Sequence, residues 1–283
     1  MTTIPGIRTT KVNRTRRSPV ESVLIIAVVL YASVLLCGPI AAIVWGALNA
    51  GLQTVWLQLT SPDAVSALKL TLLLTATATL INIVFGVCVA LVLARDEFKG
   101  RWVLNGLVDL PFAVSPVIAG FMVVLLFGRN GWLTPLMDTL GMKIVFALPG
   151  MVLVTTFVSL PFVIREIMPV LAQVGTSQEQ AACTMGASSW QIFWHITLPS
   201  IRWGLLYGVS LTSARAIGEF GAVLVVSGGV SRLTESATLF IFRSLDDRNY
   251  NGAYAMALVL MMISLSIFGL MEFIKKRVEQ HVR

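Results

Sequence analysis

Charge, histidine and cysteine are all scarce in this sequence, and each scarcity closes off a class of function. Only 12% of the 283 residues are Asp, Glu, Lys or Arg, roughly half the share found in soluble globular proteins, which is too few to clothe a water-facing surface. The histidines are His195 and His281 alone, and Cys37, Cys88 and Cys183 are dispersed and odd in number. That leaves neither a metal-ligand cluster nor a disulfide framework, and the cysteines read as small apolar packing residues. No Gly-x-x-x-x-Gly-Lys-[Ser/Thr] phosphate loop occurs, and no Ser, His and Asp grouping is apparent. Neither nucleotide hydrolysis nor nucleophilic catalysis is expected of this chain, and no cofactor or metal is expected on it.

Apolar residues fill the space that charge leaves. They make up 56% of the chain and gather into six runs, at 20–48, 65–94, 107–127, 146–171, 203–227 and 250–274. Each is long enough to cross a bilayer core, which takes about 20 helical residues. The predicted fold is an all-α integral membrane protein of six transmembrane helices. It comprises one membrane domain over 20–275, a basic tail at 1–19 and a short tail at 276–283. The first run is too long for a signal-peptide core and lacks a cleavage site, so it is expected to remain as an anchor.

An even number of spans puts both termini on one side, and the basic residues say which. Arg8, Lys11, Arg14, Arg16 and Arg17 precede the first run, and Lys275, Lys276, Arg277 and Arg283 follow the last. Arg95, Lys99 and Arg101 lie between runs two and three, and Arg165 and Arg202 bracket the fourth connection. Fourteen cations thus share one side, against Arg129, Lys143, Arg232, Arg243 and Arg248 on the other. The positive-inside rule predicts a multi-pass inner (plasma) membrane protein with both termini cytoplasmic. The net charge of +7 is then juxtamembrane, suited to orientation and lipid headgroups, and calls for no nucleic acid. Trp45, Trp56, Trp132, Trp102 and Trp203 fall near the expected boundaries, as interfacial anchors do.

Two features break the apolar pattern. The first is the connection between runs four and five, which reads GTSQEQAACTMGASSWQIFWHITLPS over 175–200. At about thirty residues it is far longer than bundle helices need. Ser177 with Gln180 and Ser188 with Gln191 each fit a capping box, and Gly186 between them suits a left-handed helix end. Two short helices at a bend are predicted, 178–185 and a second ending before Pro199. They fit an amphipathic linker on the membrane surface or a docking surface for another protein, with Met185 and Ile192 entering an apolar cleft. Trp190 and Trp194 are placed to brace the helices against spans or headgroups.

The second is Arg215 with Glu219, inside the fifth run. An ion at the bilayer centre costs about 2.5–3.5 kcal/mol even on insertion scales. The i,i+4 spacing lets the two pair on one helical face. They serve either as a structural clamp or as the lining of a substrate path. Gly204, Gly208, Gly218 and Gly221 on the same run permit close helix packing.

Gln180-Ala181-Ala182, then Gly186, then Ile196-x-Leu198-Pro199 resembles the EAA loop of ABC-importer permeases, E-A-A-x3-G-x9-I-x-L-P, at six of its seven defined positions. That resemblance implies that 176–199 is a cytoplasmic coupling loop, whose Gln180, Ala181, Ala182, Met185, Gly186, Ile196, Leu198 and Pro199 meet a separate ATP-binding subunit. Gln180 stands where the family has Glu, and the adjacent Glu179 is the candidate to supply the missing charge. SARAIGEFGAV (213–223), DLPFAVSPVIAG (109–120) and PGMVLVTTFVSLPFVIRE (149–166) resemble the permeases for tetrahedral oxyanions, and the CysW-type sulfate/thiosulfate family in particular. The likeness covers roughly 20–275. It implies a homologous CysT-type permease, two copies of a CysA-type ATP-binding subunit that uses ATP and Mg, and an external sulfate/thiosulfate-binding protein. Alternating access would then place Arg215 and Glu219 on or near the translocation path. The rivals are a molybdate/tungstate permease and, from another class, a six-span secondary anion transporter or channel acting alone. A membrane enzyme is the remaining rival, and the missing catalytic grouping weakens it.

Overall fold

The computed structural model describes residues 19–281. The predicted basic tail with Arg8, Lys11, Arg14, Arg16 and Arg17 lies outside the described residues, as do Arg283 and the side chains of Lys275, Lys276, Arg277 and His281. The chain divides into two units, Met1–Trp45 and Gly46–Arg283. In the first unit the described structure is a single helix, most of α1 (Pro19–Asn49), with Pro39 in its interior. At 31 residues the whole of α1 is about 46 Å long, more than a bilayer core requires.

The second unit continues with α2 (Leu52–Leu59), α3 (Pro62–Arg95), α4 (Arg101–Ala113), α5 (Pro116–Phe127), α6 (Thr134–Thr139) and α7 (Leu148–Val174). Then come α8 (Ser177–Thr184), α9 (Ser189–Ile192), a π-helical turn (Phe193–Thr197), α10 (Leu198–Ile217), α11 (Gly221–Ser227), α12 (Ala237–Asp246) and α13 (Tyr250–His281). Among the described residues all regular structure is helical.

The longest helix of this unit, α3, is specified at both ends. The Ser61 hydroxyl accepts a hydrogen bond from the Ala64 N–H, Pro62 begins the first turn, and Asp63 and Arg95 sit at the ends that suit their charges. Its two faces differ sharply. Thr71, Thr75, Thr79 and Asn82 point inward and are buried, while Leu72, Leu73, Leu80 and Phe85 are exposed. Within the interior, Asn82 Nδ2 donates to Ser159 Oγ at 2.9 Å and to the Thr156 carbonyl at 3.2 Å, cross-linking α3 to α7. Polar glue inside and leucine outside is the distribution expected where the surroundings are hydrocarbon.

Helices α3, α7 and α10 form the centre. Val87, Ala90 and Leu93 meet Val163, Ile164, Ile167, Leu171 and Ile201 at one end, and Leu74 meets Met151, Val154 and Val226 at the other. Small residues set the spacing. A Cβ on Gly208 would lie 3.0 Å from the Val163 Cα, and one on Gly120 would lie 2.6 Å from the Ala222 carbonyl. Gly204 and Gly221 also face close neighbours, at 2.8 and 3.1 Å, whereas Gly218 meets only its own helix and instead ends α10.

Among the described residues four helices are long and apolar enough to cross a membrane, and six spans result if each of two bent pairs counts as one. The predicted third and fifth runs are those pairs, and neither is a single rod. The third breaks at Val114 and Ser115, with α4 and α5 meeting at 112°. Pro116 is the cause: it forces extended backbone on Ser115 (ψ 139°) and starts α5 at its first turn. The fifth breaks at 218–220, where the helices turn by 56°. Glu219 therefore lies beyond the end of α10, a placement that differs from its predicted position within a continuous helix. The three cysteines also differ from expectation, since Cys37, Cys88 and Cys183 are exposed and fill no interior space.

Candidate functional site

The long connection is built from two helix ends that satisfy their own backbone. At the C-terminus of α8, the Ala187 N–H donates to the Ala182 carbonyl at 3.0 Å and the Gly186 N–H to the Cys183 carbonyl at 3.0 Å. This is a Schellman motif, and Gly186 holds the left-handed position at φ +86°. The next helix starts with the predicted capping box: Gln191 Oε1 accepts from the Ser188 N–H at 2.8 Å, and Ser188 Oγ accepts from the Gln191 N–H. The bend between them is therefore fixed by backbone geometry.

The other predicted box does not form. Thr176, not Ser177, precedes the first helical residue, and Gln180 Nε2 donates to Thr176 Oγ1 at 3.1 Å. Nor does the second helix stop before Pro199. From Ser189 the chain runs through the π-helical turn directly into α10. The Leu198 N–H reaches back five residues to the Phe193 carbonyl, and this widened turn makes room for the proline ring without ending the helix.

Around the bend lies a cavity of about 450 Å³, lined by Ala182, Met185, Gly186, Ile192, His195 and Ile196 among others. Of the predicted loop residues it brings together Ala182, Met185, Gly186 and Ile196. Met185 is 81% exposed, a long flexible apolar side chain at the rim of this cavity. Gln180 and Ala181 lie on the exposed side of α8 and Pro199 is exposed in the first turn of α10, while Leu198 packs into the α3–α7 core. Trp190, Phe193 and Trp194 form their own aromatic cluster, one pair stacked and two edge-to-face, with ring centroids 5.5–6.1 Å apart.

Glu179 is not available to stand in for a charge at Gln180. Its carboxylate faces inward: Oε2 lies 3.2 Å from Arg95 Nε, and Oε1 accepts from Arg95 Nη2 at 3.2 Å and from the Thr197 hydroxyl at 2.8 Å. Arg95 and Thr197 carried no signal in the sequence beyond a cation at a span end and a hydroxyl inside the motif, because a contact across 84 positions has no local pattern.

Arg215 and Glu219 form a second group, at the other end of α10, about 25 Å along the helix from Leu198. Arg215 Nη1 lies 2.7 Å from Glu219 Oε2, with the arginine side chain 31% exposed and the glutamate 2%. Glu219 also makes the break in the span tolerable. Its Oε1 accepts from the Ala222 N–H at 3.0 Å, capping α11, and its carbonyl accepts from the Thr238 hydroxyl at 2.7 Å. One buried carboxylate thus offsets a cation and a helix start together. Further ion pairs carry no mark in the sequence, among them Arg232 with Asp63. Arg165 pairs with Asp109 at 2.6 Å, and Arg243 bridges the buried Glu235 at 2.7 Å and Asp63 at 3.6 Å.

Comparison with known proteins shows the family. Residues 82–280 match the family described as binding-protein-dependent transport system inner membrane component. The sulfate transport system permease protein CysW of Synechocystis is 43% identical over 272 residues, covering 95% of this chain and 98% of that one. The sulfate transport system permease protein CysT of Escherichia coli is 35% identical over 253 residues, covering 89% and 91%. Among solved structures, a bacterial alginate ABC transporter in complex with a periplasmic protein carrying an alginate pentasaccharide has a chain of the same fold. Its TM-score is 0.77 at 17% identity, over 92% of this chain and 94% of that one. The chain belongs to the family of binding-protein-dependent transport system inner membrane components, among the CysW-type ABC permeases.

Proposed function

We propose that this chain is one permease subunit of an ATP-driven importer of sulfate and thiosulfate, and that its 176–199 loop receives the stroke of a separate ATPase. The observation that carries this reading is the pairing of a CysW likeness spanning nearly the whole chain with a rigidly capped bend that exposes Met185 beside an open cavity of mixed apolar and polar lining. A bend held this firmly, with an exposed methionine at its tip, suits a cleft on a partner protein.

The remaining parts follow from the same reading. The loop and both termini face the cytoplasm, in keeping with the cations that cluster on that side. The second half of the pore is a CysT-type permease, similar to this chain in sequence. Two CysA-type subunits bind ATP and Mg and supply hydrolysis, since this sequence has no phosphate loop. A sulfate/thiosulfate-binding protein delivers the anion from outside. Gln180, Ala181, Ala182, Met185, Gly186 and Ile196 face the ATPase, while Leu198 and Pro199 carry its motion into α10. Arg215 stands on the path: its guanidinium is one-third open, and a desolvated dianion requires a cation or donors. Glu219 holds that cation in place between transport cycles.

The test compares the native chain with Gly186→Asp, each purified with its partner permease and ATPase and reconstituted in liposomes with loaded binding protein outside. Asp at φ +86° strains the bend and brings a charge to the cavity beside it. We expect loss of both stimulated ATP hydrolysis and sulfate uptake. Full activity in the variant overturns the assignment of the loop.

A further inference from the structure

The Glu179 carboxylate and the Arg95 guanidinium tie α8 to the packed ends of α3 and α7 and to the turn that opens α10. Arg95, the last residue of α3, donates through Nη1 to the Leu171 carbonyl at 3.2 Å and through Nη2 to the Gly175 carbonyl at 2.7 Å, both at the C-terminal end of α7. Through Glu179 it reaches the first turn of α8, and through the same carboxylate it reaches Thr197, in the π-helical turn that leads into α10. Thr197 is buried, and the Arg95 and Glu179 side chains are only 16% and 20% exposed.

Shielded from water to that degree, the pair acts as a stiff joint and not as a solvated surface contact. Arg95 is well chosen for it, since the planar fork holds carbonyls and carboxylate at once in a way an ammonium does not. Moving α8 without moving α3, the end of α7 and the start of α10 leaves a charge without its partners, which is costly in a dry setting. Those three helices are the centre of the membrane unit. The π-helical turn adds a seam at the one place where α10 is least tightly wound.

We propose that Arg95 and Glu179 are the positioning pair that transmits displacement of the 176–199 loop to α3, α7 and α10, with Thr197 as its link to α10. The pair touches neither ATP nor anion, and its role rests on the importer reading above. The charge missing at Gln180 is therefore not replaced at the ATPase surface. The glutamate next to it is turned inward to serve the joint.

The experiment uses the whole reconstituted complex and reads sulfate taken up per ATP hydrolysed, together with the recovery of ATPase subunits on purification. Arg95→Gln, Glu179→Gln and the double variant are compared with the native chain. We expect each single variant to lower the uptake-to-hydrolysis ratio by about tenfold, in the range of ordinary site-to-site coupling. The double variant is expected to lower it by no more than either single, because both break one joint. ATPase subunits should be recovered at the native ratio. An unchanged uptake-to-hydrolysis ratio overturns the proposal, as does a double loss equal to the product of the singles. Loss of the ATPase subunits assigns the pair to shaping the docking surface and likewise overturns it. Thr197→Val removes one hydrogen bond and leaves the ion pair, so it serves where the others fail to assemble. It is expected to lower the ratio about threefold, a weaker effect than breaking the ion pair, and no change there overturns the link to α10. If the native complex shows no ATP-dependent uptake at all, the importer reading itself fails and the transmission role falls with it.

Discussion

Arg215 and Glu219 are 2.7 Å apart, and the same carboxylate caps the helix that follows. The two duties separate by substitution. Glu219→Gln keeps an acceptor for the Ala222 N–H but leaves Arg215 unpaired. Glu219→Ala loses both. We expect the first to cost about 1–2 kcal/mol, between the values for exposed and buried ion pairs because Arg215 is partly open. The second should cost about 1 kcal/mol more for the lost cap. Thermal unfolding in detergent measures both, and equal losses would contradict the double role.

Gly120 and Gly106 form a matched contrast. A Cβ on Gly120 meets the Ala222 backbone at 2.6 Å, whereas one on Gly106 meets nothing within 4 Å. Gly120→Ala should destabilise by about 1–3 kcal/mol through forced separation of α5 and α11. Gly106→Ala should be neutral or stabilise by up to about 1 kcal/mol through helix propensity. Melting temperatures of the two variants give the comparison directly, and similar values would sink it.

Glu235 makes stability depend on pH. It lies in the connection between α11 and α12, and burial pushes its carboxyl above the ordinary 4.5, with Arg243 pulling back the other way. A folded-state value above the unfolded one means that the folded form holds the proton more tightly. The stability this group contributes is fully present below 4.5 and is lost as pH rises through the raised folded value. Glu235→Gln cannot titrate. Over the interval that begins at pH 4.5 and runs upward, the native melting temperature should therefore fall relative to that of the variant. Parallel curves would show that Glu235 does not control the slope.

Cys183 reports the side on which the loop lies. It is free and exposed in α8. With Cys37 and Cys88 replaced by Ser, a membrane-impermeant maleimide added to right-side-out vesicles should leave it unlabelled until the membrane is opened. Immediate labelling would reverse the proposed topology.

Hydropathy located the apolar runs because the length needed to cross a bilayer is written directly in composition. It does not show that two of them bend, although Pro116 inside the run at 107–127 is a kink signal in its own right. The break before Pro116 keeps its backbone groups bonded, with the Val114 N–H on the Leu110 carbonyl and the Ala119 N–H on the Ser115 carbonyl, so the run stays as apolar as a straight one. The break at Glu219 depends on a side chain capping the next helix, and in sequence that glutamate looks like any intramembrane ion. The bend at Gly186 was legible, since a glycine between two cap-like residues has few other uses. The continuation through Pro199 was not, because a π-helical turn evades the rule that proline ends a helix. In the sequence Arg95 is one orienting cation among fourteen, and its contact with Glu179 depends on α3 and α7 ending side by side.

The central claim is that this chain moves its anion only when a separate ATPase works through it. The most direct measurement is uptake of radiolabelled sulfate into proteoliposomes, with enclosed ATP, by the full complex and by this chain alone. We expect uptake only with the full complex, ATP and loaded binding protein together. Uptake by this chain alone, without ATP, would contradict the claim and make Arg215 and Glu219 the centre of a different mechanism.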